Sequence, residues 1–253
     1  MKNAIIYFLV FIGLQAGTGL VVPILWAVLT GSPDISAAML ITSSVVSGVL
    51  AIAIFLLARW TVVSPRWIRT RPWLVLIWSC IAALGALIPS QWIQEFMPEL
   101  RDFAEKEFAM LLGDRWGYLA IGLLAPLAEE VVFRGAILKA LLQKWSPVWA
   151  IVVSALFFAI GHFNPVQMPH AFVIGLLLGW MYWRTGSILP GVAYHWANNS
   201  AAFIAYQVWP DPDMKLIDIF QGSQLHVLMA VGFSLLILLP AIYQLHLWMR
   251  RAE

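Results

Sequence analysis

The chain is short of charge. Asp, Glu, Lys and Arg make up only 11% of its 253 residues, where a soluble domain carries about 25%. It holds one cysteine, Cys80, so it cannot form an internal disulfide. Cys80 lies in an apolar segment and reads as a small buried hydrophobe. No basic run and no interleaved basic-aromatic patch is present, which excludes nucleic acid as a partner. Internal repeats, low-complexity segments and a separate soluble domain are also missing.

What is present is apolar. Hydrophobic residues make up 62% of the chain, and the mean hydropathy is +0.84. About eight apolar segments follow one another: 4–29, 36–60, 72–90, 116–139, 147–163, 168–184, 187–209 and 224–249. Each has a length that suits a helix crossing a core of about 30 Å. Backbone groups in lipid must bond within their own segment, so helices are expected. The expected fold is an all-α polytopic membrane bundle, one integral-membrane domain over 1–253. The N-terminal apolar run imitates a signal peptide. It continues to about Leu29 without a convincing small-residue cleavage site, and reads as a retained first span. Tryptophans gather near segment ends, at Trp60, Trp73, Trp116, Trp145, Trp183, Trp209 and Trp248, as an interfacial belt does.

Charge orients the bundle. With eight spans, Lys2, Arg59, Arg66, Arg69, Arg71, Lys139, Lys144, Arg184, Arg250 and Arg251 fall on one side. Asp34, Glu95, Glu99, Asp102, Glu105, Glu107, Asp114, Asp211, Asp213 and Asp218 fall on the other, with Arg101, Lys106, Arg115 and Lys215. The positive-inside rule makes the first side cytoplasmic, with both termini there. The connection 91–115 is the longest. Its Phe96, Leu100, Phe103 and Phe108 are spaced for an amphipathic helix on the outer surface, which either gates access or simply connects two spans.

Against this background, Glu129, Glu130 and Arg134 stand inside an apolar segment. A charge at bilayer centre costs roughly 2.5–3.5 kcal/mol on insertion scales. Such residues are a functional-site hypothesis by default. Glu130 and Arg134 are i, i+4, the spacing of an ion pair. Glu129 lies about 100° around the helix and has no partner there, which suits general acid/base work. His162 lies one turn after Phe158. His195 and Asn199 are i, i+4 and project from one face. Each alone reads as interhelical glue. Glu129, His162 and His195 together can hold and deprotonate a water, and two His with one carboxylate also form a catalytic zinc ligand set.

Glu-Glu-x-x-x-Arg at 129–134, Phe-x-x-x-His at 158–162 and His-x-x-x-Asn at 195–199, in this order, resemble the CPBP intramembrane protease family. That family includes type-2 CAAX prenyl proteases, bacteriocin-processing and self-immunity proteins, and lysostaphin resistance protein A-like members. The resemblance covers a core of about 115–205. It implies an intramembrane endopeptidase acting on membrane-associated proteins or peptides, including prenylated CaaX-type ones. Carried over by position, Glu129 and His162 activate water, His195 and Asn199 hold the oxyanion, and Glu130 and Arg134 shape the site. Zinc held by Glu129, His162 and His195 and a metal-free glutamate mechanism both stay open, as does the oligomeric state. The expected location is a membrane, the plasma (inner) membrane in a bacterium. The rival readings are a proton-coupled transporter or channel and a non-catalytic bacteriocin-immunity protein.

Overall fold

A computed structural model of the chain describes residues 1–64, 67, 72–98, 100–211 and 214–250. Of the charges used for orientation, Arg66, Arg69, Arg71, Glu99, Asp213 and Arg251 lie outside the described residues. Among the described residues every regular element is helical.

Two long helices open the fold, α1 (Lys2–Thr30) and α2 (Ala37–Leu57). Gly31 ends α1 with a left-handed φ of 73°. The Ser36 side chain starts α2 by accepting from the Met39 N–H. Next come α3 (Trp73–Gln94) and the short α4 (Glu105–Gly113). The following segment is a composite: π1 (Leu119–Leu124), α5 (Ala125–Glu129), π2 (Glu130–Leu138) and α6 (Lys139–Leu142). Then follow α7 (Pro147–Ile160), α8 (Met168–Thr185), α9 (Leu189–Val208), the single turn α10 (Leu216–Ile219) and α11 (Gln224–Trp248).

Each of the eight apolar segments contains helix. Four, α1, α2, α3 and α11, are both long and apolar enough to cross a membrane. The others fall short for visible reasons. The composite segment is interrupted, α7 has only 14 residues, and α9 carries His195, Asn198, Asn199 and Ser200. The residues that suggest chemistry are the residues that dilute the hydropathy.

The connection 91–115 is not one amphipathic helix. Pro98 disfavours helical backbone at the residue before it, and α3 stops at Gln94. Helix resumes only at Glu105, after the Asp102 carboxylate accepts from the Ala104 N–H at 2.8 Å.

Polar contacts stitch the loops into two separate ends. At one end Lys139 Nζ donates to the Trp60 carbonyl (3.2 Å), and the Ser187 hydroxyl to Val63 (3.4 Å). Arg184 there donates to the carbonyls of His246 and Met249. Tyr7, near the start of α1, stacks on Trp60 with ring centroids 4.8 Å apart. At the other end Gln94 Nε2 donates to Val166, Gln207 Nε2 to Leu112, and the Leu216 N–H to Glu95.

Packing forms two buried clusters. One joins α1, α2, the composite segment and α7, through contacts such as Phe11 against Phe133 (centroids 5.2 Å). The other joins α3, α8, α9 and α11. Within it the Cys80 thiol donates to the Ala193 carbonyl at 3.6 Å, linking α3 to α9.

Candidate active site

The π-helical stretches bracket Glu129. Such turns are rare, and they concentrate at functional sites. Pro126 lacks an N–H and its ring crowds the carbonyl one turn back, which is that of Gly122; the widened π1 turn relieves that crowding. Gly122 is also where the Tyr118 ring lies against the backbone, since a Cβ there would sit 2.3 Å from Tyr118 Cε2. In π2, two carbonyls take hydroxyl donors from outside the helix. Thr61 donates to Val131 at 2.6 Å and Ser154 to Phe133 at 3.1 Å.

Glu130 and Arg134 are paired as their spacing predicts. Arg134 Nη1 lies 2.8 Å from Glu130 Oε1, with the side chains 1% and 0% exposed. A buried pair is tolerable only when further bonds occupy its remaining polar atoms. Arg134 Nη2 donates to the Gly175 carbonyl at 3.4 Å. Its guanidinium also stacks 4.2 Å above the Phe158 ring, a cation–π contact strengthened by the absence of water. The Glu130 carboxylate rests against Gly191: a Cβ there would sit 2.5 Å from Oε2. Phe158 is therefore more than a motif position. It packs edge-on against Phe133 (5.1 Å), His162 (4.8 Å) and His195 (5.8 Å).

His195 stands between the two glutamates. Its Nδ1 is 3.4 Å from Glu130 Oε1 and its Nε2 is 3.6 Å from Glu129 Oε2. Carboxylates only accept, so Nδ1 with its hydrogen donates to Glu130, while Nε2 stands at ion-pair distance from Glu129, beyond hydrogen-bond reach. Glu129 is 18% exposed, yet its Oε2 is buried with no hydrogen-bond partner. Glu130 Oε2 and Arg134 Nε are likewise buried without one. Unpartnered buried polar atoms are uncommon and ask for an explanation; here they cluster where chemistry was expected.

His162 is held by its other end. Its Nδ1 is 2.8 Å from the Phe158 carbonyl. That carbonyl can only accept, so Nδ1 carries the hydrogen and Nε2 of the neutral ring keeps a lone pair. Asn199 donates from Nδ2 to the Ile121 carbonyl at 3.1 Å, leaving one N–H of its amide. Asn198, buried beside it, donates to Asn199 Oδ1 at 3.2 Å. Tyr118 fastens α9 to the start of π1, accepting from Trp196 Nε1 (3.1 Å) and bonding Ser200 (2.9 Å).

The structure thus gathers Glu129, Glu130, Arg134, Phe158 and His195 into one contact network, with His162 attached through Phe158 and Asn199 through π1. Sequence reading passed over two contributors. Gly191 and Asn198 lacked any signal beyond their place near His195. Among the described residues no group of three His, Cys, Asp or Glu is assembled to hold a metal ion. His162, with Nδ1 held by the Phe158 carbonyl, keeps Nε2 for a water or a metal ion, the arrangement a ligating histidine also uses.

No curated protein and no solved structure matches the chain. Residues 112–201, which hold all three motifs, match the family model described as Type II CAAX prenyl endopeptidase Rce1-like.

Proposed function

We propose that this chain is an intramembrane endopeptidase. It hydrolyses a peptide bond of a membrane-associated protein or peptide, with prenylated CaaX-type proteins the substrate class favoured by the family match. The bundle crosses the membrane with eight helices and keeps both termini in the cytoplasm. The gathering of Tyr7, Trp60, Lys139, Arg184 and Met249 contacts at one end supports that topology. In a bacterium the chain resides in the plasma (inner) membrane.

One observation carries the reading. Phe158 and His195 converge from α7 and α9 on the composite segment that carries Glu129 and the buried Glu130–Arg134 pair, inside the matched segment. Glu129 is the general base. It takes one proton from water as the water oxygen bonds to the scissile carbonyl carbon. His162 Nε2 accepts the other water hydrogen and aligns the attack. The negative charge on the carbonyl oxygen is held by the free N–H of Asn199 and by His195. Once Glu129 is protonated it no longer attracts His195 Nε2–H, so that donor turns to the oxyanion. Donors aimed at developing charge are each worth about 2.7–4 kcal/mol. The carbon–nitrogen bond then breaks, and Glu129 returns its proton to the leaving amine. Glu130 and Arg134 hold His195 and Phe158 in place. No step passes through a metal.

The test is cleavage of a prenylated CaaX-type peptide by the purified chain in liposomes. Glu129→Ala is expected to lose activity by about 10²–10⁴-fold, the usual worth of a general base, without loss of folding. Undiminished cleavage by that variant overturns the mechanism. Ion flux without cleavage points instead to a transporter. Cleavage abolished by a chelator and restored by zinc overturns the metal-free route.

A further inference from the structure

The turn that follows His162 is strained and tied to a distant part of the chain. Phe163 has φ 51°, the left-handed region, although it has a side chain. Such a residue persists only where its surroundings over-determine it. Phe163 itself is 56% exposed, so its own packing does not do this. The next residue does. Asn164 is 2% exposed, and both ends of its amide are bonded. Nδ2 donates to Asp102 Oδ1 at 2.8 Å, and Oδ1 accepts from the Phe103 N–H at 3.3 Å. Its backbone carbonyl accepts from Gln167 and Met168, at the start of α8. Asp102 is fixed in turn by the Ala104 N–H on the same oxygen, at 2.8 Å. A second stitch, Gln94 to Val166 at 3.3 Å, ties the same turn to the end of α3.

We propose that Asn164 is a positioning residue for His162, acting through Asp102 on the connection between α3 and α4. The inference rests on the reading of His162 as the group that aligns water. His162 has one anchor of its own, the bond from Nδ1 to Phe158. That bond leaves the ring free to pivot with the backbone at its C-terminal side, where the strained Phe163 begins the turn. Asn164 closes the pivot. The connection 95–104 is thereby part of the site without supplying an atom to the reaction.

The chemistry of the pair permits a strict test. Asp102→Asn preserves all three bonds. An asparagine at 102 keeps the one oxygen that accepts from both Ala104 and Asn164, and Asn164 still accepts from Phe103. Asn164→Ala and Asp102→Ala each lose the link. In each alanine variant kcat is expected to fall by up to about 10²-fold, the cost of a displacement of about 1 Å at a reacting group. KM should stay within about twofold, because no substrate contact is lost. Asp102→Asn should keep kcat. Labelling of His162 by diethyl pyrocarbonate, read by mass spectrometry, gives a second readout that needs no cleavage. Its rate should change several-fold in the two alanine variants and stay at the wild-type value in Asp102→Asn. Wild-type labelling and wild-type kcat in folded Asp102→Ala overturn the proposal. So does an Asp102→Asn variant that folds but labels as the alanine variants do. If the wild type cleaves nothing, or His162→Ala cleaves normally, the catalytic reading fails and the labelling experiment still decides the link.

Discussion

The seam between α3 and α11 and the cluster around Arg134 are both tightly packed, by opposite means. The seam is made of small and aliphatic side chains. Gly85 lets α3 approach so closely that a Cβ there would sit 2.8 Å from the Leu238 nitrogen. Ala82, Ala83, Ala86, Ala241 and Leu245 fill the rest. Helices in lipid lack a hydrophobic drive toward each other, and such close backbone contact is what holds them. The cluster instead buries a full ion pair under aromatic rings, in a helix bent out of the regular α form. The seam needs only shape. The cluster needs shape and a complete set of polar partners, so one deletion there exposes a buried charge.

The sharpest way to break the comparison is Arg134→Ala. Removing one partner of a buried pair costs about 3–5 kcal/mol, and cleavage should vanish with it. Chemical unfolding in detergent measures the loss; a change below about 1 kcal/mol would place Arg134 among ordinary surface pairs. Next is Gly191→Ala, whose Cβ meets Glu130 Oε2 at 2.5 Å. Overpacking costs about 1–3 kcal/mol, and Glu130 also carries His195, so kcat should fall too. Gly85→Ala should cost a similar about 1–3 kcal/mol of stability, yet leave kcat of the folded fraction unchanged. If Gly85→Ala lowers kcat as Gly191→Ala does, the two regions are not separable. The smallest effect belongs to Ser154→Ala. It leaves the Phe133 carbonyl without its side-chain donor, at about 0.5–1.5 kcal/mol, and hydrogen exchange in π2 should rise.

Much of this was legible in the sequence. The apolar segments, the Glu130–Arg134 pair and the isolation of Glu129 on its own helix all follow from spacing. The π turns were not legible, because α and π stretches share the same uniform apolarity here. Pro126, and hydroxyls from Thr61 and Ser154 far away in sequence, accompany them. The connection 91–115 was misread as one amphipathic helix because its phenylalanines have helical spacing. Pro98 outweighed that periodicity, and Phe96 and Phe103 are exposed. Asn164 gave no signal of its own, because its role depends on Asp102, 62 positions earlier.

Cys80 has a practical consequence. It is the chain's one thiol, and its hydrogen points at the Ala193 carbonyl, two residues before His195. Thiol stretching absorbs in an infrared window that other protein groups leave empty. The protein therefore carries a native, label-free spectroscopic reporter on the backbone of α9. A shift of that single band as peptide is added would record whether α9 moves during turnover.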